Sequence, residues 1–150
     1  MNDVNITEIM ANIEEMISGH YTSYAAQFED YRDFWLNLAA EELVHAQWIR
    51  DLYAHSRQGQ VLFNEKRFNK ESLKEMQGRL GEMLVTLRAQ TKTMKDALSS
   101  SVNIENFILE KDCFEIFETD IPELKALLGR LEKETLGHRN KMKEMLIDYK

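Results

Sequence analysis

The chain has 150 residues, of which 43 % are hydrophobic and 30 % are charged, and its formal net charge is −7. This length and composition fit one globular domain spanning residues 1–150, and the negative charge argues against nonspecific binding to nucleic acid or to an anionic membrane surface. There is no apolar run of about 18 residues and no signal-peptide pattern at the N-terminus, so we expect a cytoplasmic protein without a membrane span. Cys113 is the only cysteine, which excludes intrachain disulfides and cysteine-cluster zinc sites.

The first part of the chain has the apolar spacing of two helices. Apolar residues at three- and four-residue steps over residues 5 to 29 predict an amphipathic helix, helix A. After a polar joint at residues 30–33, the same spacing predicts helix B from Phe34 to about residue 54. Because the joint is short, helices A and B are expected to be antiparallel neighbours. Residues 55–70 are the least regular stretch and are interpreted as a surface connection.

The apolar period resumes at Glu71 and continues to Ile116, which is too long for one helix beside helix B. A break is therefore expected within this stretch. The candidate positions for it are Gly78, Gly81 and Ser99–Ser101. We favour a crossover helix over residues 71–92, followed by helix C over residues 94–118.

The end of the chain predicts a further helix, helix D. Thr119 and Asp120 either stop helix C or cap the next helix, and Pro122 stands where a helix start tolerates proline. Apolar spacing then continues from Leu124 to Leu146. The predicted fold is all-α: two antiparallel helix pairs joined by a long crossover that contains an extra helix. That connection favours a ferritin-like four-helix bundle over a simple up-down-up-down bundle.

Acidic and histidine side chains occur on the apolar stripes of the four bundle helices. One Glu-x-x-His pair, Glu42 and His45, lies in helix B. Helix D carries a similar pair, Glu134 and His138, but with a spacing of four residues instead of three. Buried carboxylates are costly unless they are paired or bound to a metal, so their convergence predicts a dinuclear metal site. The candidate ligands are Glu14 in helix A, Glu42 and His45 in helix B, Glu105 in helix C, and Glu134 and His138 in helix D.

Three of these assignments have alternatives. In helix D the position that matches Glu42 is Thr135, whereas Glu134 lies four residues before the histidine. Glu134 would need a helix rotation or a π-bulge to act as a ligand. Glu110 lies on a different face of helix C and is the alternative to Glu105. A lone inward histidine is more often a hydrogen-bonded core residue than a ligand, and aromatic residues such as Tyr21, Trp35 and Trp48 are interpreted as packing.

The first half of the chain resembles the rubrerythrin branch of the ferritin-like superfamily. That family has a glutamate followed by a tyrosine seven residues later, which Glu14 and Tyr21 match. Its E-x-x-H-A motif is matched by Glu42, His45 and Ala46.

The second half resembles the same family. The family's A-L…E helix is similar to Ala97–Leu98 followed by Ile104–Glu105. Its D-P-E-L-K-x-L-L…E-E-x-x-H segment is similar to IPELKALLGRLEKETLGH, from Ile121 to His138. The resemblance covers nearly the whole chain apart from the connection.

This resemblance implies a di-iron carboxylate site, although the donor set also suits other divalent metals. The implied ligands are Glu14, Glu42, His45, Glu105 and His138, with Glu42 bridging the two metals. The implied chemistry is reduction of peroxide or oxidation of Fe(II) by O₂, in oxidative-stress or iron handling. Since a single cysteine cannot build a rubredoxin-type centre, a peroxidase of this kind needs electrons from an external donor protein. We also consider a homodimer.

Two departures from the family pattern support a second interpretation. Thr135 replaces the expected second bridging glutamate, and Asp112 stands where the family usually has tyrosine and could itself supply a carboxylate. The alternative is a degenerate ferritin-like bundle, with an incomplete or absent metal site, that acts as a binding or interaction module. Whether the protein is an enzyme, a non-haem di-iron peroxidase or ferroxidase, stays open between these two interpretations.

Overall fold

The computed structural model describes residues 2–56, 62–63, 70–110 and 117–148. In this part of the chain the elements are α1 (Asn2–Gln27), a 3-10 turn (Glu29–Tyr31), α2 (Arg32–Ser56), β1 (Leu62–Phe63), α3 (Lys70–Gln90), α4 (Met94–Glu110), β2 (Phe117–Glu118) and α5 (Pro122–Asp148). The predicted all-α class is confirmed, with the two-residue strands as a minor addition. None of the described helices is long and apolar enough to cross a membrane.

The junction between α3 and α4 confirms the favoured division of the long apolar stretch. The Oδ2 atom of Asp96 accepts hydrogen bonds from the backbone N–H groups of Lys92, at 3.1 Å, and Thr93, at 3.2 Å. In return, the Oγ1 atom of Thr93 accepts the backbone N–H of Asp96 at 3.1 Å, which caps the start of α4 reciprocally.

The three candidate break positions were wrong, because they lie inside helices: Gly78 and Gly81 in α3 and Ser99–Ser101 in α4. A Cβ atom at Gly81 would make an ordinary 3.4 Å contact with Cε of Met16 on α1, and one at Gly78 would meet nothing within 4 Å.

The prediction that helix C continues to residue 118 was wrong for its last two residues. Phe117 and Glu118 form β2, which pairs antiparallel with β1 so that Phe117 lies opposite Phe63. Apolar periodicity cannot reveal this pairing, because the two strands are far apart in the sequence. Asp112 and the side chain of Glu110 lie outside the described residues.

Helices α1 and α2 are antiparallel neighbours, as the short joint predicts. The buried hydroxyl of Ser18 donates a 2.8 Å hydrogen bond to the backbone carbonyl of Ala39, and Arg50 near the end of α2 pairs with Glu8 near the start of α1. Apolar residues at helical spacing face inward from each helix. The largest fully buried side chains are Trp35, Tyr21, Tyr24, Ile17, Leu38, Ile49, Leu52, Leu73, Leu80, Leu98 and Ile104.

The other helices have definite directions relative to this pair. α3 runs parallel to α1, since Gln77 contacts Asn12 and Thr91 contacts Tyr24 further along both helices. α4 begins beside the first turn of α2, where Nε1–H of Trp35 donates to Sδ of Met94.

α5 runs antiparallel to α2. Arg130, early in α5, stacks 4.7 Å over Trp48, and Lys141, late in α5, lies 5.3 Å over Phe34 in the first turn of α2. α1, α2, α4 and α5 therefore enclose a common interior, and α3 packs outside them against α1.

Candidate metal centre

Five acidic and histidine side chains from four helices meet in the interior of the protein. They are Glu14 of α1, Glu42 and His45 of α2, Glu105 of α4 and His138 of α5, and each is at least 96 % buried. Glu42 and His45 face the same side of α2 because residues three apart are neighbours on a helix surface.

These side chains form two groups, each of which could hold a metal ion. Glu14, Glu42 and His45 make one group, and Glu42, Glu105 and His138 make the other, with the ligand atoms in each group within 4.8 Å of one another. Glu42 belongs to both. Five of the six candidate ligands are thus brought together.

The two oxygens of Glu42 face different histidines. Oε1 lies 2.8 Å from Nδ1 of His138, and Oε2 lies 3.8 Å from Nδ1 of His45. Glu14 lies 3.9 Å from the same His45 nitrogen, and Glu105 lies 3.2 Å from the His138 nitrogen. The two imidazole rings stack at 5.5 Å between centroids. Both Nδ1 atoms therefore point toward the carboxylates.

The outer nitrogens of the two histidines are held by two further glutamates. Nε2 of His45 lies 2.9 Å from Oε1 of Glu134 on α5, and Nε2 of His138 lies 2.5 Å from Oε1 of Glu41 on α2. Each histidine is thus held by a glutamate from the other helix. Such outer hydrogen bonds fix the tautomer and the ring orientation of a metal-binding histidine.

Glu134 therefore lies outside both groups, on the far side of the His45 ring. The π-bulge considered for it is absent, since α5 is a continuous α-helix from Pro122 to Asp148. Sequence reasoning missed Glu41. Glu41 and Glu134 both stand four residues before a histidine, but this spacing does not show which histidine each one contacts.

In this cluster the histidines partly compensate the negative charges of the carboxylates. Burial alone would lower the pKa of His138, but hydrogen bonds to Glu105 and Glu42 and their charges raise it to about 11. Burial alone would raise the pKa of Glu42, but its contact with His138 and the nearby His45 hold it well below its usual value. Without metal, an ionised Glu42 accordingly faces an imidazolium at His138.

The charge of an ionised Glu105 is less well compensated than the charge of Glu42. Burial and then the charge of Glu42 raise the pKa of Glu105 to about 7, although its hydrogen bond with His138 acts in the opposite direction. Burying a carboxylate costs free energy unless a cation or hydrogen bonds compensate it fully. In the metal-free protein the ionisation of Glu105 is therefore opposed.

Tyr21 takes part in this environment as well as in packing. Its ring is fully buried and lies 5.6 Å from the ring of Trp35, in agreement with the predicted packing role. Burial, and then the charges of Glu105, Glu42 and Glu14, raise the pKa of Tyr21 well above its usual value, so its hydroxyl keeps its proton.

Nδ1 of His45 is buried and lies 3.8 Å from Glu42 and 3.9 Å from Glu14, beyond hydrogen-bond distance of either carboxylate. An imidazole nitrogen that faces two carboxylates at these distances is available to bind a metal ion.

Thr135 occupies the position of α5 that corresponds to Glu42 of α2. It is buried, and its hydroxyl donates a 2.9 Å hydrogen bond to the backbone carbonyl of Leu131, one turn earlier. It supplies no charge. The site consequently has three carboxylates facing its interior, from Glu14, Glu42 and Glu105.

A cavity of about 740 Å³ adjoins the site on the surface of α5. Among the five clustered side chains, His138 is the one that lines it. The other lining residues are Glu41, Arg130, Lys133, Glu134, Gly137 and Lys141.

Comparison with known proteins did not identify a relative. No protein-family model matches the chain, and neither the curated proteins nor the solved structures gave a significant match. The interpretation of the site therefore depends on its geometry and chemistry.

Proposed function

We propose that this chain is a rubrerythrin-like protein that binds two metal ions, as a di-iron centre, and reduces peroxide or oxidises Fe(II) with O₂. The observation that carries this proposal is the position of Glu42. Its two oxygens face the two histidines, and it belongs to both groups. A carboxylate shared in this way would bridge two ions. Glu14 and His45 would complete one ion's ligands, and Glu105 and His138 the other's.

The energetic argument for a metal is the convergence of buried carboxylates, one of which is difficult to ionise. Three buried carboxylates converge, and the pKa of Glu105 is raised to about 7 because burial and Glu42 oppose its ionisation. Divalent cations would relieve this repulsion, and their binding would displace protons from the imidazoles. A purely structural role gives no reason to bury these groups together.

The donor set favours iron without excluding similar metals. Carboxylate oxygen and imidazole nitrogen suit iron, manganese, cobalt and zinc. A bound iron pair would supply two electrons to O₂ or peroxide. The chain's own residues would hold the two ions, exclude bulk water and keep the imidazoles aligned through Glu41 and Glu134. Electrons to restore the centre would come from an external donor protein.

The directions of the helices support a ferritin-like arrangement. α1 and α2 are antiparallel, α4 starts beside the start of α2, and α5 is antiparallel to α2. A connection that places the second and third bundle helices parallel requires a crossover along the bundle, and α3, parallel to α1, would supply it.

The test is metal stoichiometry with single-ligand variants. Wild-type protein should bind two Fe(II) or Mn(II) per chain. Glu14→Gln and Glu105→Gln should each retain one, because each removes a ligand from one group. Glu42→Gln should weaken the binding of both ions, because Glu42 belongs to both groups. Glu132→Gln, at an exposed position of α5, is the matched control and should bind like wild type.

Thr135 favours a second candidate function, a degenerate bundle that binds no metal and acts as an interaction module. In that case, Fe(II) should leave the thermal midpoint unchanged, whereas a metal that binds only the folded state must raise it. Far less than one metal per chain in protein from iron-supplied cells would overturn the proposed function and leave this alternative.

A further inference from the structure

His20 is a buried histidine outside the candidate metal centre, and neither of its ring nitrogens has a hydrogen-bond partner among the described residues. The residue is 1 % exposed. The ring of Tyr24 packs edge-on against it, at 4.4 Å between centroids, and supplies no oxygen or nitrogen acceptor in this contact. Buried imidazole nitrogens are ordinarily hydrogen-bonded, and an apolar side chain would fill the same space without an unpaired N–H group. Packing alone therefore does not account for a histidine at this position.

His20 lies in the contact between α1 and α3. The register of that contact is given by three pairs, which are Asn12 with Gln77, Met16 with Gly81, and Tyr24 with Thr91 just after α3. Residue 20 stands one turn after Met16 and one turn before Tyr24, so it shares their face of α1 and is level with the last two turns of α3. Arg88, in those turns of α3, is the charged residue that acts on the imidazole.

A proton on His20 is costly in this position. Burial, and then the charge of Arg88, lower the pKa of His20 from 6.5 to about 4. No carboxylate in the described part of the chain pairs with the ring, and its aromatic neighbours on α1, Tyr21 and Tyr24, carry no charge at acid or neutral pH. An imidazolium needs acceptors for two N–H groups, and here water has to supply them. Water reaches the ring when α3 moves away from α1.

α3 can move without disturbing the interior that holds the metal centre. It packs outside the other four helices, against α1. Its buried face is apolar and consists of Leu73, Met76, Leu80 and Leu84. α1 keeps its contact with α2 through the hydrogen bond from Ser18 to Ala39. Since parts of a protein open with different free energies, release of α3 does not require unfolding of the whole chain.

We propose that His20 is an acid-sensitive switch: when its imidazole takes up a proton, α3 is released from α1 and the apolar faces between them are exposed, while α1, α2, α4 and α5 stay together. The neutral ring fits the docked state. The protonated ring is hydrated only in the released state.

The direction of the effect follows from the pKa of His20 in the two states. Above pH 6.5 the ring is neutral in both, and it has no influence on docking. As the pH falls below 6.5 only the released state takes up the proton, so docking weakens down to about pH 4, where the docked state takes it up as well. The ratio of released to docked protein should therefore be about 20-fold larger at pH 5 than at pH 7.

The experiment is hydrogen–deuterium exchange of the full, chelator-treated chain at pH 7 and pH 5, measured by mass spectrometry on peptides from each helix. Rates are corrected for the intrinsic effect of pH on exchange, so that they report the opening of each helix. Relative to α2, the protection of α3 amides should fall by about 20-fold from pH 7 to pH 5.

Two variants assign the effect to His20. His20→Phe keeps an aromatic ring in the same space and cannot take up a proton, so its α3 should be equally protected at both pH values. His55→Phe, on α2, is the matched control and should lose α3 protection like wild type. If His20→Phe does not fold, the NMR titration of the His20 ring in wild type decides. Its midpoint should lie well below 6.5, and protection of α3 should be lost over the same pH interval.

Three results would overturn the proposal. Protection that falls alike in all helices would mean that acid unfolds the chain as a whole. A loss of α3 protection in His20→Phe equal to that in wild type would assign the effect to other groups. A His20 ring that titrates near pH 6.5 while α3 stays protected would mean that the proton is accommodated in place. Because the protein is free of metal in these measurements, none of the three results bears on the proposed two-metal site.

Discussion

Replacing Glu105 by glutamine should stabilise the metal-free protein while it damages the metal centre. Burial and the charge of Glu42 raise the pKa of Glu105 from 4.5 to about 7, so the folded state resists the ionisation that the unfolded state accepts. Glutamine has nearly the same shape and carries no charge. It can still bond to His138, which also keeps Glu42 as a partner at 2.8 Å.

The size and pH dependence of this stabilisation follow from the pKa of Glu105 in the unfolded protein, 4.5, and in the folded protein, about 7. Below pH 4.5 the carboxyl is protonated in both states and costs nothing. Stability is then lost as the pH rises through the interval up to about 7, because the unfolded state releases this proton first. Above that interval the cost is roughly 3 kcal/mol, and at pH 5 it is less than about 1 kcal/mol. For a chain of this length, roughly 3 kcal/mol corresponds to about 6–12 °C in the midpoint.

The assay is thermal unfolding of chelator-treated protein, monitored by circular dichroism at pH 5 and pH 8. Glu105→Gln should melt well above wild type at pH 8 and close to it at pH 5. Glu132→Gln, an exposed substitution of the same kind, should match wild type at both. A Glu105→Gln protein that is no more stable than wild type at pH 8, or whose advantage is the same at both pH values, would refute the reasoning.

Three further substitutions test the packing around the site. Ser18→Ala removes the buried 2.8 Å hydrogen bond to the Ala39 carbonyl and should lower the free energy of unfolding by about 1 kcal/mol in urea denaturation. Gly137→Ala should raise it by about 0.5–1 kcal/mol at an unchanged denaturant slope, because alanine favours the helix and its Cβ has room. Arg50→Ala breaks the partly exposed pairings with Glu8 and Glu15 and should cost less than about 1 kcal/mol, with a smaller loss in 1 M salt.

Much of the fold was predictable because apolar spacing in a helical protein is a local signal. The spacing gave helices A, B and D to within a few residues and divided the crossover helix from α4 near Thr93, where the cap with Asp96 lies. Gly78 and Gly81 were candidate breaks because a glycine inside a helix looks the same in sequence as one that ends a helix. The pairing of β1 with β2 depends on partners that no local pattern relates.

The candidate site was predictable where its residues act within one helix. Glu42 and His45 are three residues apart, so one helix face presents both, and the sequence alone identifies them. The roles of Glu41 and Glu134 could not be derived in the same way. Each contacts a histidine on the other helix, and that contact depends on the antiparallel packing of α2 against α5.

Because each of these glutamates contacts the histidine of the other helix, Thr135 also has to be interpreted differently. From spacing alone, Glu134 is a ligand displaced by one residue, and a small local distortion of α5 could restore it. In the folded protein Glu134 corresponds to Glu41, since each holds the outer nitrogen of the opposite histidine. If Glu134 moved into the interior, Nε2 of His45 would lose its hydrogen-bond partner. The carboxylate missing at Thr135 is therefore not replaced by its neighbour.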